Sequence, residues 1–173
     1  KRISKLQTKS NIFCIFARLQ TSQMRIVIQR VTHASVTINN QIKSSIQKGF
    51  LILLGIEECD SKEDVDWLVK KVKGLRIFDD ENGVMNRSIM DVKGDILVVS
   101  QFTLMASYKK GNRPSWIRAA RHEISIPLYQ FFVKRLSEMI DRPVATGEFG
   151  ADMKVELLND GPVTICMDTK NRE

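Results

Sequence analysis

From Met24 onward, apolar and polar residues alternate with the two-residue period of β-strands. "RIVIQRV" (25–31) predicts a strand. "ASVTINNQIKSSI" (34–46) alternates around Asn39-Asn40, a pair that tolerates positive φ, and predicts a hairpin whose Val36, Ile38, Ile42 and Ile46 share one face. "GFLILLGI" (49–56) is apolar on both faces and predicts a central strand. At 61–78 the period changes. Ser61 and Asp64 form a Ser-x-x-Asp cap, and Val65, Leu68, Val72 and Leu75 then recur at helical spacing. "DDENGVMN" (79–86) reads as a polar loop and "DILVVSQFTL" (95–104) as a buried strand. A second helix is predicted over 125–140, with Leu128, Phe132, Leu136 and Met139 on one face. "PVATGEFG" and "MKVELL" read as short strands, followed by "VTICMD" (163–168), a strand entered through a turn at Gly161-Pro162. No repeat, low-complexity segment or linker interrupts this pattern. It predicts one α/β domain with a largely antiparallel sheet.

The 173 residues suit a single domain with a real core, and 43% apolar with 27% charged residues is a globular balance. No apolar run approaches the ~20 residues of a membrane-spanning helix. The net charge of +7 is unevenly placed: residues 1–23 hold five basic residues and no acid, leaving 22 basic and 20 acidic residues, or +2, for 24–173. That first stretch is also rich in Ser and Thr, as an organellar transit peptide would be. It is either no natural part of the folded protein, with Met24 as the start, or a targeting segment, or a genuine arm. Cys14, Cys59 and Cys166 are odd in number and far apart, which points to a reducing compartment. Two histidines, His33 and His122, support a metal site poorly.

Candidate chemistry gathers in two places. Ser100, Gln101 and Thr103 put polar groups at the end of an apolar strand, where each must be hydrogen-bonded or used. After them, no acid occurs between Asp95 and Glu123, while Lys109, Lys110, Arg113, Arg118 and Arg121 do, with Tyr108 and Trp116 interleaved. This is either a phosphate-binding patch or a solvated loop. The second place is Gly161-Pro162, which is either a hairpin turn or a rigid main-chain edge aimed at a ligand. Ser100 or Cys166 paired with His122 is a weaker nucleophile–base candidate. No G-x-S-x-G elbow surrounds Ser100, and Cys166 has apolar strand neighbours. "GEFGAD" (147–152) lacks phosphate-loop spacing.

"SQFTL" (100–104) and "NDGPVT" (159–164), together with "RIVIQRVTHASVTI", "LRIFDDENGVMN", "KKGNRPSW" and "TGEFGADM", resemble the D-aminoacyl-tRNA deacylases over essentially all of 24–173. The resemblance does not reach residues 1–23. It implies a compact domain of packed, largely antiparallel sheets with two main helices on one side. It also implies a hydrolase that cleaves the ester of D-aminoacyl-tRNA, and of glycine mischarged on tRNA, without metal or cofactor. The family resemblance implies a cytoplasmic homodimer, with organellar delivery only if residues 1–23 are genuine, and with active sites at the interface.

Carried over residue by residue, Ser100, Gln101, Phe102 and Thr103 form the catalytic wall. Gly161 and Pro162, with Val163 and Thr164, form a Gly-cisPro edge that rejects L-substrates across the interface. Phe149 meets the terminal adenine, and Lys109, Lys110 and Arg113 meet acceptor-stem phosphates. Backbone N–H groups near Gln101 and Phe102 are the expected oxyanion donors. Thr103 matches a proposed family nucleophile, but no base lies near it in sequence, and a water assisted by the tRNA's 2′-OH is the expected attacking group. Met105 stands where relatives often carry an aromatic residue, which leaves the local pocket shape open. Two rivals stay in view: a non-catalytic tRNA- or DNA-binding module, and a general esterase using Ser100 and His122.

Overall fold

The computed structural model describes residues 23–109 and 111–172. Strand β1 (Arg25–Ile38) is the spine of a six-stranded sheet. One of its edges pairs antiparallel first with β3 (Gly49–Gly55) and then with β2 (Gln41–Ile46). Its other edge pairs antiparallel with β8 (Lys154–Asp168) almost throughout. Beyond β3, β6 (Asp95–Ser100) and β7 (Ala145–Thr146) continue the sheet in parallel. The sheet curls toward closure, and the Ser44 hydroxyl donates to the Thr146 carbonyl at 2.8 Å. A small second sheet joins β4 (Arg76–Asp79) to β5 (Met85–Ser88).

Both faces of the sheet are buried, which explains the continuous apolar runs of β3 and β6. Ile26, Ile28, Phe50, Ile52, Ile96 and Val98 face the helices α1 (Lys62–Gly74) and α2 (His122–Ile140). Val31, Val36, Leu51, Leu97 and Val99 fill the inside of the curl. Leu128, Phe132 and Leu136 of α2 are buried as their spacing predicts. The two helices lie side by side, tied by Arg135 and Asp66 at 2.9 Å. The expected packed, largely antiparallel sheets with two helices on one side are thus present.

The Asn39-Asn40 turn forms as expected, with φ of 50° and 61°. So does the start of α1, where Asp64 accepts from the Ser61 N–H at 2.9 Å and from its hydroxyl at 3.0 Å. Four expectations are corrected. Ile42 is 71% exposed, because the two-residue Asn39-Asn40 turn sets it opposite Thr37, on the face away from Val36. The extra residue Lys43 in β2 then shifts the register so that Ile46 pairs with Ala34 and is buried. The helix expected over 61–78 stops at Gly74, and Arg76–Asp79 is strand. The loop expected over 79–86 closes into strand from Met85. The strand expected over 95–104 ends at Ser100, and Phe102–Met105 forms one turn of 3-10 helix. The N-terminal segment, residues 1–22, lies outside the described residues, as does Lys110.

Candidate active site

The end of β6 opens a cavity of about 540 Å³. Ser100, Gln101 and Phe102 line one side, and His122, Phe149, Gly150 and Ala151 another. The Gln101 N–H donates to the Leu54 carbonyl at 2.8 Å, which holds the strand end against β3. The chain then turns tightly: the Leu104 N–H returns to the Gln101 carbonyl at 3.2 Å and the Ala106 N–H to the Thr103 carbonyl at 3.1 Å. Gln101 is therefore spent as a backbone donor. The N–H groups of Phe102 and Thr103 start the 3-10 turn and have no acceptor within it. The Gln101 side-chain amide donates to the Thr103 hydroxyl. Arg25 of β1 donates to the Leu104 carbonyl at 2.8 Å and fixes the turn from behind.

Met105 is fully buried and does not line the cavity. It packs on Gly55, where a Cβ would stand 2.8 Å from the Met105 Cε. A flexible thioether fills that volume under the turn.

The far side of the cavity is aromatic. Phe149 lies edge to face with His122 and with Tyr129, each centroid pair 5.7 Å apart. The Tyr129 hydroxyl donates to the Val98 carbonyl at 2.9 Å. Burial pushes its pKa up to about 12, so it stays protonated and acts as a fixed donor. Ser100 and His122 both line the cavity, yet among the described residues no hydrogen bond joins them. Thr103 likewise has no basic partner within hydrogen-bond reach there.

Gly161-Pro162 is not a hairpin turn. β8 runs in one direction on both sides of it: Asn159 pairs with Val31 and Thr164 with Gln29. Asp160, Gly161, Pro162 and Val163 thus stand opposite the single residue Arg30, and the surplus loops out of the strand as a wide bulge. The Gly161-Pro162 peptide is cis. Two side chains hold the bulge. Asn159 accepts from the Val163 N–H at 3.0 Å and donates to the Thr164 hydroxyl at 3.2 Å. Arg30 is buried, and its Nε donates to both the Asp160 carbonyl and carboxylate at 3.1 Å. Its Nη1 donates to the Ile77 carbonyl at 2.6 Å and pairs with Asp79 at 3.3 Å. Arg30 and Asn159 were not singled out in the sequence. A lone arginine within a strand pattern was the one available signal for Arg30.

Within one chain the two expected halves of the site stay apart. Ser100 aligns through Leu54 with Ile26 of β1, whereas the bulge faces Arg30, three strands across and four residues along. At ~4.8 Å per strand and ~3.4 Å per residue, the separation is on the order of 20 Å. Gly161 and Pro162 are exposed and do not line the cavity. Val163 is half-buried, and Thr164 is exposed. Lys109 and Arg113 are exposed on the loop after the 3-10 turn. Arg118 there is committed to Glu57. No group of three His, Cys, Asp or Glu among the described residues is arranged to hold a metal ion, and no helix among them is long and apolar enough to cross a membrane.

Comparison with known proteins adds the following. Residues 27–168 match the family model described as D-Tyr-tRNA(Tyr) deacylase. A D-aminoacyl-tRNA deacylase of Phocaeicola vulgatus is 69% identical over 150 residues, which is 87% of this chain and all of that protein. One of Flavobacterium johnsoniae is 61% identical over the same shares. Among solved structures, one named "c-Myc DNA Unwinding Element Binding Protein" superposes with a TM-score of 0.78 at 40% identity, covering 83% of this chain and 97% of that one. Another, named a probable eukaryotic D-amino acid tRNA deacylase, shares the fold, with a TM-score of 0.73 at 17% identity, covering 84% of this chain and 99% of that one.

Proposed function

The chain belongs to the D-Tyr-tRNA(Tyr) deacylase family, and from that premise we propose that its 540 Å³ cavity is where a D-aminoacyl-tRNA ester is hydrolysed. It is a D-aminoacyl-tRNA deacylase, a hydrolase acting on charged tRNA. The observation that carries the site assignment is that one cavity is lined by both the Ser100–Phe102 strand end and Phe149.

In this reading the terminal adenine packs near Phe149, and the aminoacyl group extends toward Ser100 and Thr103. Water attacks the ester carbonyl carbon and gives a proton to the adjacent 2′-hydroxyl oxygen, whose own proton passes to the departing 3′-oxygen. The negative charge that develops on the carbonyl oxygen is met by a backbone N–H of the 3-10 turn, with Phe102 taking the role that the bonded Gln101 N–H cannot. The tetrahedral adduct collapses as the C–O bond to the ribose breaks. The products are the free amino acid and a tRNA with its 3′-OH restored. Gln101, through Thr103, holds the turn in place.

Chiral selection falls to the Gly161–Pro162 edge. Proline has no N–H, so the edge offers carbonyl acceptors suited to an α-ammonium group. Glycine has no Cβ, so the substrate approaches closely. An L side chain would run into this edge, while a D side chain or the hydrogen of glycine points away. Glycine mischarged on tRNA is therefore a second substrate. The ~20 Å gap within one chain calls for the edge to come from a second copy, which makes the working form a homodimer with two interface sites. Lys109, Lys110 and Arg113 meet the acceptor-stem phosphates. The protein works in the cytoplasm. The deacylase domain of this reading is 24–173, and residues 1–23 lie outside it in sequence.

Matched D-Tyr-tRNA and L-Tyr-tRNA test this directly. Rapid release from the D-ester alone is the expected result, and equal release from both would sink the chiral reading. The exposed cations near Phe102 favour one second reading, nucleic-acid binding without turnover. Tight tRNA binding with neither ester cleaved would establish it instead.

A further inference from the structure

A second aromatic pair stands at the more exposed end of the same cavity. Phe102 and Trp116 meet edge to face, with centroids 5.6 Å apart and planes at 80°. Both line the cavity that Phe149 also lines. Unlike Phe149, they keep much of their surface in solvent: Phe102 is 57% and Trp116 39% exposed. Ile117 and Tyr108 beside them in sequence are more exposed still. An apolar group of this size left in water marks a binding surface.

The backbone that presents Trp116 is held at several points. Ser107 and Ser115 exchange two N–H···O bonds of 2.8 Å, which closes the loop between them. The Trp116 carbonyl accepts from the Ala119 N–H at 2.9 Å, and Arg118 is anchored on Glu57. The ring is thus carried on a fixed turn. The stretch itself carries charge of one sign: residues 96–122 contain no acid, and Lys109, Arg113 and Arg121 lie on it beside Arg118, which Glu57 neutralises. Flat rings set among cations suit a single-stranded polynucleotide, whose bases stack while its phosphates are neutralised. A duplex would hide its base faces, and a polypeptide would need acids to match these cations.

We propose that Phe102 and Trp116 form a nucleobase subsite that stacks the base immediately 5′ of the terminal adenosine. This rests on the reading that the Phe149 end of the cavity takes that adenosine. The consequence is that the enzyme grips the single-stranded 3′ end of tRNA by two bases in succession.

The test compares binding of adenosine and of the dinucleotide CpA to the full chain by equilibrium titration. The expected result is that CpA binds roughly tenfold more tightly than adenosine. Trp116→Ala removes that gain and leaves adenosine affinity unchanged, while Trp116→Phe keeps most of it. CpA binding no tighter than adenosine would overturn the subsite, as would a gain that survives in Trp116→Ala. A parallel loss of both affinities would also overturn it, since the ring would then be shaping the pocket only. The two readings fail separately. A protein that prefers CpA but leaves D-Tyr-tRNA intact refutes the deacylase site, and one that hydrolyses D-Tyr-tRNA without the preference refutes this subsite.

Discussion

Arg30 of β1 and Asp160 of β8 face each other across a defect in the longest strand pair of the molecule, and the Nε of Arg30 holds both the carbonyl and the carboxylate of Asp160 at 3.1 Å. The same guanidinium reaches Ile77 and Asp79 at the start of the small sheet. One buried side chain therefore clamps the segment that carries Gly161-Pro162. Replacing it with lysine keeps the charge but loses the fork. Arg30→Lys is expected to cost about 2–4 kcal/mol of stability. The Val163 amide is expected to exchange faster, and the preference for D- over L-Tyr-tRNA to fall. Denaturant titration, hydrogen exchange and the paired substrates measure the three effects.

Gly161 is constrained by space as well as by backbone angle. Its φ is +121°, and a Cβ there would stand 2.7 Å from the Val163 Cγ2 and 3.1 Å from the Arg30 Nη2. Gly161→Ala is expected to lower stability by about 1–3 kcal/mol and to displace the edge. The diagnostic readout is the ratio of D- to L-ester hydrolysis, which should shrink by more than the rate on the D-ester alone.

Thr103 and His122 separate the mechanisms. Thr103→Ala loses one hydrogen bond from Gln101 and should keep turnover within roughly tenfold of the parent. His122→Ala removes an edge contact on Phe149, raising KM a few-fold and leaving kcat little changed. Complete loss of turnover in a folded Thr103→Ala protein would restore a threonine nucleophile. A comparable loss in His122→Ala, with sensitivity at Ser100, would restore the general esterase.

Away from the site, Asp60 links stability to pH. Burial is the main cause that raises its pKa to about 7, with the charges of Asp64 and Glu57 adding, against hydrogen bonds from the N–H groups of Glu57 and Gln23. The folded state holds this proton while the unfolded chain releases it near pH 4, so stability falls as pH rises from about 4 through 7. Asp60→Asn should flatten that slope and be more stable than the parent at pH 8, by on the order of 2–4 kcal/mol. Thermal melts between pH 5 and 8 give the comparison.

Salt dependence reports the phosphate contacts. Lys109 and Arg113 are exposed, whereas Arg118 is neutralised by Glu57. Charge removal at Lys109 or Arg113 is expected to reduce the slope of log K against log salt by about 0.7–0.9 each. Removal at Arg118 should change it less. Binding of uncharged tRNA from 50 to 300 mM salt reads these slopes, a range set by roughly where such effects are steep.

Much of this was legible because local chemistry and global fold agree. Asn39-Asn40 dictates a tight turn, and Ser61 with Asp64 dictates a helix start, whatever surrounds them. The illegible parts depend on pairing across the sheet. Ile42 alternates correctly with Ile46, but the two-residue turn sets it opposite Thr37, and the extra residue Lys43 of its own strand turns only the residues beyond it to the Val36 face. Leu75 continues the helical period of α1, yet the chain after Gly74 is drawn into a strand by Met85–Ser88. Phe102 and Leu104 alternate like strand residues, but the Arg25 bond to the Leu104 carbonyl secures a turn. Gly161-Pro162 offered a turn or an edge, and only the register on β1 shows the strand running on past it. The motif residues were readable from the family resemblance, whereas their supports, Arg30 and Asn159, were not.

The pairing of β1 on both edges gives it the part of a measuring rule. Ser100 is positioned by counting from Ile26 through Leu54, and the bulge by counting from Arg30, so both distances are graduated on the same few residues. A one-residue deletion between Ile26 and Arg30 would move one mark against the other by ~3.4 Å and reverse the facing of the residues beyond it. A deletion in the turn Asp80–Val84 would move neither mark. Tolerance to changes of length should therefore be nil in the first strand and generous at the tip of the small hairpin.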